Sequence, residues 1–232
     1  TINWYAEMLE SGDAGPLNEK QHEFLREIYR GSQRMVVLVN ALLNVSRLEL
    51  GRLTVEPSPT NLPALAKTVI AELKPLVEKN QLTITEKYEK GLPEVSVDPK
   101  LVSIIFHNLL TNSVKYTEKG GSVEFSIALK KTGDEVDGHK VEKDAFLIVV
   151  KDTGIGIPEA QQDAIFTKLF RADNARERDQ DGTGLGLYIV KEIVDLANGA
   201  AWCDSKEGEG TTFYILLPTE GMSKSLGKTS LK

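Results

Sequence analysis

The spacing of apolar residues divides the chain into two textures. Thr1 to Glu10 (TINWYAEMLE) reads as the end of an amphipathic helix, which Gly12 to Pro16 breaks. A second helical run is expected from about Leu17 to Leu50. There Phe24, Ile28, Met35, Leu38, Leu42 and Val45 follow one another at steps of 4, 7, 3, 4 and 3. Such spacing is the stripe of a helix bundle or coiled coil. Two helices joined by a short turn form an antiparallel hairpin. A hairpin this thin encloses no core, so it is expected to dimerise into a four-helix bundle.

From Gly51 to Pro63 the composition shifts to GRLTVEPSPTNLP, whose three prolines read as a linker. Beyond it helices and strands alternate. Leu62, Leu65, Val69, Leu73 and Leu76 keep helical spacing, and Leu82 to Tyr88 reads as a strand. Asp98-Pro99 is a helix start, an N-cap side chain followed by proline at the first helical position. That helix is expected to reach about Tyr116. Val123, Phe125, Ile127 and Leu129 alternate along one face of a strand. Lys130 to Asp144 reads as a charged hairpin tip, and Phe146 to Val150 as a buried strand. Helices are predicted near Pro158 to Leu169 and from about Gly184 to Ala197. Strands are predicted at Ala201 to Ser205 and Thr211 to Leu217. Thr219 onward lacks periodicity and reads as a mobile tail. The expected organisation is a hairpin at 1–53, a linker at 54–60, an α+β two-layer sandwich with a mixed sheet at 61–218, and a tail at 219–232.

Composition narrows the classes. The 232 residues carry 28 basic and 34 acidic side chains, a net charge of -6. An acidic balance argues against a general nucleic-acid or anionic-membrane surface. A single cysteine excludes an internal disulfide framework and an all-cysteine metal site. The longest apolar stretch, Met35 to Val45, is broken by Asn40 and Asn44 and falls short of the roughly 20 residues of a membrane span. No signal peptide is expected in this stretch. The expectation is a soluble intracellular protein, or a piece of one, with no nucleic acid and no membrane contact of its own.

Three segments could carry chemistry. In His107 to Thr117 (HNLLTNSVKYT), Asn108, Asn112 and Lys115 share one helix face. Two amides and an ammonium so placed could hold a metal–phosphate group; a solvated helix surface would look the same. In Lys151 to Glu159 (KDTGIGIPE), Asp152 ends a strand, and Gly154 and Gly156 permit a tight turn. An acid there could accept a hydrogen bond from an exocyclic amine, although an ordinary strand-to-helix turn would also fit. In Asp181 to Val194 (DGTGLGLYIVKEIV), Gly182, Gly184 and Gly186 precede an apolar helix, a setting for anion binding by backbone amides. The spacing is not that of a dinucleotide fingerprint, and no P-loop occurs.

In this order, the three segments resemble the ATP-binding catalytic domain of bacterial sensor histidine kinases, within the GHKL ATPase superfamily. The resemblance covers the N box (Asn108 to Thr117), the first glycine box (Asp152 to Pro158), the phenylalanine box (IFTKLFR, Ile165 to Arg171) and the second glycine box (Gly182 to Leu187). It extends to GEGTTFYILLP at Gly208 to Pro218, which is similar to the family's final hairpin. LLNVSRLELGRL at Leu42 to Leu53 resembles the dimerisation and phosphotransfer domain.

The resemblance implies roles. Asn112 would ligate Mg²⁺, Asn108 would support it, and Lys115 would contact phosphate. Tyr116 would line the nucleotide pocket, Asp152 would accept the adenine amine, and Gly154 and Gly156 would let the backbone approach the base. Phe166 and Phe170 would anchor an ATP lid at roughly Ala172 to Thr183, with Arg171 reaching toward the phosphates; helix packing would account equally well for their i, i+4 spacing. Gly182, Thr183, Gly184, Leu185 and Gly186 would bring backbone amides to the triphosphate. Hydrolytic relatives place a Glu four residues before the Mg²⁺ asparagine, as a base for water. Asn108 stands there, so the resemblance implies γ-phosphate transfer to a histidine and relay to the Asp of a response-regulator receiver domain. A GHKL-type ATPase, or a nucleotide-binding dimerisation module without kinase activity, is the alternative. The family's acceptor histidine is followed by an acidic residue and then Arg/Lys-Thr/Asn-Pro. His22, His107 and His139 do not stand in that motif. The acceptor is therefore expected to precede Thr1, leaving a piece that binds ATP and does not autophosphorylate. A cytoplasmic location is implied for it, and the parent could be soluble or anchored in the bacterial inner membrane.

Overall fold

The stepped apolar residues of the first fifty positions lie on two long elements. The structure, a computed structural model, describes residues 1–49, 54–179 and 182–225. It separates into two units, residues 1–50 and 51–232. In the first, α1 (Ile2–Glu10) packs on α2 (Glu19–Glu49). Asn18 and Gln21 open α2 with a reciprocal box: Asn18 Oδ1 accepts from the Gln21 N–H at 2.9 Å, and Gln21 Oε1 from the Asn18 N–H at 2.8 Å. Ile2 and Asn3 lie beside Met35 and Val39, whereas Glu10 lies beside His22 and Glu23, so the helices run antiparallel. Ala6, Leu25 and Ser32 are buried in this unit. The predicted stripe is not the seam between the two helices. Phe24, Ile28, Met35 and Leu42 are 56%, 55%, 53% and 51% exposed; the side chains of Leu38 and Val45 lie outside the described residues.

The second unit opens with an element where a linker is expected. Ser58–Thr60 forms β1, which precedes α3 (Leu62–Lys79), β2 (Thr83–Tyr88) and β3 (Val95–Val97). β1 pairs antiparallel with β3, Pro59 opposite Ser96. Proline suits such a short two-stranded edge because it donates nothing to a ladder. Asn61 caps α3, accepting the Ala64 N–H at 2.9 Å. Asp98 caps α4 (Pro99–Tyr116) as its sequence predicts, with Oδ1 accepting from the Lys100 N–H at 2.9 Å. Its other oxygen takes the Glu56 N–H at 3.0 Å and so ties residue 56 to this unit.

The main sheet combines β2 with β4 (Ser122–Lys130), β7 (Ala145–Asp152), β8 (Ala200–Lys206) and β9 (Gly210–Pro218) in the order β2-β4-β7-β9-β8. The β2–β4 pair is parallel and the others antiparallel, giving the expected mixed sheet. Alternation sends Phe125, Ile127, Phe146, Ile148, Val150 and Ile215 to one buried face. Against it pack α3, α4 and α6 (Gly186–Leu196), through Val69, Phe106, Leu109, Leu110, Val190 and Ile193. The Phe106 and Phe125 rings meet edge to face at 5.2 Å.

Two expectations are corrected here and one, the hairpin tip, gains an element. The charged tip holds a short hairpin, β5 (Glu135–Val136) with β6 (His139–Lys140). Its Val136 joins Val141, Ala145, Leu147 and Leu216 in a second apolar cluster. The segment near Pro158 to Leu169 is a 3₁₀ turn over Glu159–Ala164 followed by irregular backbone, with Leu169 at φ +63°. A left-handed residue ends a helix, so Phe166 and Phe170 do not share a helical face. The expected tail is packed as far as it is described: Met222 is buried, its N–H donates to the Ser96 carbonyl at 2.8 Å, and Ser225 bridges to Val55.

Candidate functional site

Asp152, the last residue of β7, is the most constrained polar group of the site. It is 5% exposed. Oδ1 accepts the Gly154 N–H at 2.9 Å and the Thr211 N–H at 3.2 Å, and Oδ2 accepts the Ser113 hydroxyl at 2.9 Å. Burial pushes the carboxyl above its ordinary value, and the three donors pull it back. Two of the donors come from outside its own turn. Ser113 lies on α4, while Thr211 stands opposite Asp152 in the β7–β9 register. Sequence reasoning missed both; the available signal was Ser113's place within the first polar segment.

α4 brings Asn108, Asn112 and Lys115 to the same edge. Asn108 is anchored: its Nδ2 donates to the Ile104 carbonyl at 2.9 Å, and its Oδ1 lies where a Cβ on Gly186 would come within 2.7 Å. The absence of a side chain at Gly186 therefore lets the start of α6 close on Asn108. The Asn112 carboxamide is half-buried and makes no hydrogen bond to another described residue. Its carbonyl oxygen is thus available to a hard cation. Among the described residues no group of three His, Cys, Asp or Glu gathers as a ligand set. The Lys115 ammonium lies 5.7 Å from the centre of the Tyr116 ring and pairs with Asp179.

The first glycine loop lies directly on the end of α4. Gly154 bridges to Thr117, and the Ile155 N–H donates to the Tyr116 carbonyl at 3.1 Å. A Cβ on Gly154 would come within 2.7 Å of that carbonyl. Gly156 has φ +65°, and a Cβ there would run into the Lys206 carbonyl. Both positions thus require glycine for close backbone approach.

The second glycine segment meets the end of the phenylalanine segment. Gly184, at φ +69°, would place a Cβ within 2.7 Å of the Leu169 carbonyl carbon and 2.8 Å of the Phe170 carbonyl oxygen. Gly182 faces the Arg171 guanidinium in the same way, 2.8 Å from its Cζ. The Leu185 N–H donates to Thr183 Oγ1 at 3.3 Å, and Leu185 is buried. α6 begins at Gly186 with no side-chain cap, so its first N–H groups suit an anion. Phe166 and Phe170 are half-buried, and the Phe170 backbone lies against Gly184. Between the segments runs α5 (Asp173–Arg178), which the sequence did not predict. Its Asn174 donates to the Gly156 carbonyl at 2.9 Å, and its Arg178 to the Thr117 carbonyl at 3.3 Å. Gln180 and Asp181, part of the expected lid and second glycine segment, lie outside the described residues.

Neither His107 nor His139 joins this cluster. His139 stacks on Trp202 at 4.4 Å on the second apolar cluster, and His107 is exposed on α4. His22 belongs to the helical hairpin.

Two family models match the chain. Residues 97–221 match the family model described as histidine kinase-, DNA gyrase B- and HSP90-like ATPase. Residues 1–51 match the His Kinase A (phospho-acceptor) domain. The circadian input-output histidine kinase CikA of Synechococcus elongatus is 32% identical over 208 residues, 89% of this chain and 26% of that protein. An adaptive-response sensory kinase SasA from a Synechococcus species is 32% identical, over 94% of this chain and 55% of its own length. The sensor protein kinase WalK of Staphylococcus aureus is 32% identical, over 95% and 50%. The chain thus spans between about a quarter and about half of these relatives. Among solved structures, full-length ShkA in complex with AMPPNP superposes with a TM-score of 0.73 at 21% identity, over 97% of this chain and 44% of that one. The Acinetobacter baumannii histidine kinase AdeS gives 0.66 at 16% identity, over 94% and 93%.

Proposed function

Since the chain belongs to the histidine kinase-, DNA gyrase B- and HSP90-like ATPase family, in its sensor histidine kinase branch, we propose that it is the kinase core of a two-component sensor. Its substrate is ATP with Mg²⁺, and its reaction is transfer of the γ-phosphate to a histidine for relay to a receiver-domain Asp. The observation that carries this reading is the meeting of α4, the end of β7 and both glycine segments around Asp152 and Asn108.

In this reading Asp152 accepts the adenine amine, and Gly154 and Gly156 admit the base. Tyr116 lines the pocket, with Phe166 and Phe170 at the root of the lid. Asn112 offers its carbonyl oxygen to Mg²⁺, which when bound neutralises phosphate charge. Lys115 and Arg171 hold phosphate oxygens beside the backbone of Gly182 to Gly186 and the uncapped start of α6. Asn108 is tied to the Ile104 carbonyl and cannot deprotonate water near neutral pH. That favours transfer to a separate nucleophile over hydrolysis. We assign the hairpin to residues 1–53 and the catalytic region to residues 61–218, and we extend the latter to include β1 and residues 219–225, which pack on it. The exposed stripe of Phe24, Ile28, Met35 and Leu42 supports a homodimer through the hairpin. Among the described residues no helix is long and apolar enough to cross a membrane. We place this region in the cytoplasm.

Incubation with γ-labelled ATP, alone and with a separate acceptor hairpin carrying the family's histidine motif, tests the proposal. Acid-labile phosphate on the added hairpin and none on this chain is the expected result. Stoichiometric phosphohistidine on this chain would overturn the non-autophosphorylating reading. Brisk phosphate release without labelling would favour the ATPase.

A further inference from the structure

The two cations given to phosphate above already share an anion that the chain itself supplies. Lys115, in the last turn of α4, pairs through Nζ with Asp179 Oδ2. Arg171 Nη2 lies 3.6 Å from the same oxygen and also donates to the backbone carbonyls of Asp179 and, at 3.1 Å, Ala175. Asp179 is the C-cap of α5, its own N–H bonded to the Ala175 carbonyl at 3.1 Å, so the helix fixes where its carboxylate stands. The pair is sheltered: the side chains of Arg171 and Asp179 are 14% and 18% exposed and that of Lys115 is 39% exposed. Sheltered charges are screened less than those in open solvent.

We propose that Asp179 is a built-in competitor for the phosphate site. Its carboxylate holds Lys115 and Arg171 and must leave them when the nucleotide's phosphates arrive. The inference rests on the assignment of those two cations to phosphate. Its physical basis is competition for the same donors: a carboxylate offers one charge, whereas a Mg²⁺-bound triphosphate offers more charge and more acceptor oxygens. The exchange also releases one tether of α5. The remaining tethers, Asp173 to Gln161, Arg178 to the Thr117 carbonyl and to Glu118, and Asn174 to the Gly156 carbonyl, do not involve these cations. Phosphate arrival and rearrangement of the segment over the site are thereby coupled, and affinity is lowered by the population in which the internal pair is made.

Calorimetric titration of the chain and its Asp179→Asn variant with adenosine, ADP and AMPPNP, each with Mg²⁺, tests this. Asn keeps the shape and removes the charge. AMPPNP should bind the variant about three- to tenfold more tightly, with ADP gaining less and adenosine unchanged. AMPPNP affinity that is unchanged or weaker in the variant would overturn the proposal. A wild-type chain that binds neither adenosine nor AMPPNP would instead overturn the nucleotide reading beneath it. Hydrogen exchange on the wild type provides a readout without a variant. Exchange at Ala175 to Asp179 should change with AMPPNP and not with adenosine; the same response to both ligands would contradict the competition.

Discussion

The Ser113 hydroxyl donates to Asp152 Oδ2 at 2.9 Å, joining the last turn of a core helix to the last residue of a central strand. Both residues are buried, at 1% and 5% exposure. The bond orients a carboxylate that, among the described residues, has no cationic partner and rests on neutral donors. Ser113→Ala removes one donor and leaves a buried oxygen unsatisfied. We expect a loss of about 1–3 kcal/mol in urea denaturation at pH 7. The loss should shrink toward pH 4, where protonation of Asp152 removes the charge the hydroxyl stabilises. Equal losses at both pH values would contradict this account.

The raised carboxyl of Asp152 also fixes a sign. A carboxyl whose folded value lies above its unfolded value of about 3.9 favours folding fully only below the unfolded value, and that contribution is lost as pH rises through the folded value. Asp152→Asn carries no such penalty. Its Oδ1 can still accept from Gly154 and Thr211, and its amide can donate to the Ser113 oxygen. The stability of the variant relative to wild type should therefore rise between pH 4 and pH 7, measured by paired denaturation curves. A difference that falls or stays flat would show that burial does not dominate at this carboxyl.

Gly186 separates binding from stability. A Cβ there would lie 2.7 Å from Asn108 Oδ1, and the residue starts a helix without requiring a left-handed backbone. Gly186→Ala should melt within a few degrees of wild type, since alanine favours a helix by up to about 1 kcal/mol. It should displace Asn108 and weaken ATP binding about tenfold. A fluorescent nucleotide titration beside a thermal melt reads both quantities.

Much of this arrangement is visible in local pattern. Alternation at Val123, Phe125 and Ile127 identifies a strand, Asp98-Pro99 identifies a helix start, and the spacing of Asn108, Asn112 and Lys115 identifies a shared edge, because each depends on neighbours within a turn or two. What escapes local pattern depends on distant partners. Thr211 reaches Asp152 only through strand register. Met222 is buried because the Ser96 carbonyl receives its N–H. β1 exists because Val95–Val97 offers it a partner. The helical spacing of Phe166 and Phe170 misleads because Leu169 between them takes a left-handed backbone. α5 is hidden in a run of charges, since six residues show no apolar period.

The exposed stripe of α2 predicts an assembly. Ile28, 55% exposed, sits between Phe24 and Met35 along it. Light scattering should give a mass near twice the 25.6 kDa of one chain, and Ile28→Lys should return the monomer value by placing a charge in an apolar seam. A wild-type chain that stays monomeric at all concentrations would show that these residues alone do not make the bundle.

Calorimetric titration of wild type and Asp152→Ala with ATP and Mg²⁺ tests the central claim most directly. The claim predicts saturable binding to wild type and affinity reduced about 5- to 150-fold in the variant, the cost of leaving the adenine amine without its acceptor. Equal affinity in the two proteins would contradict it.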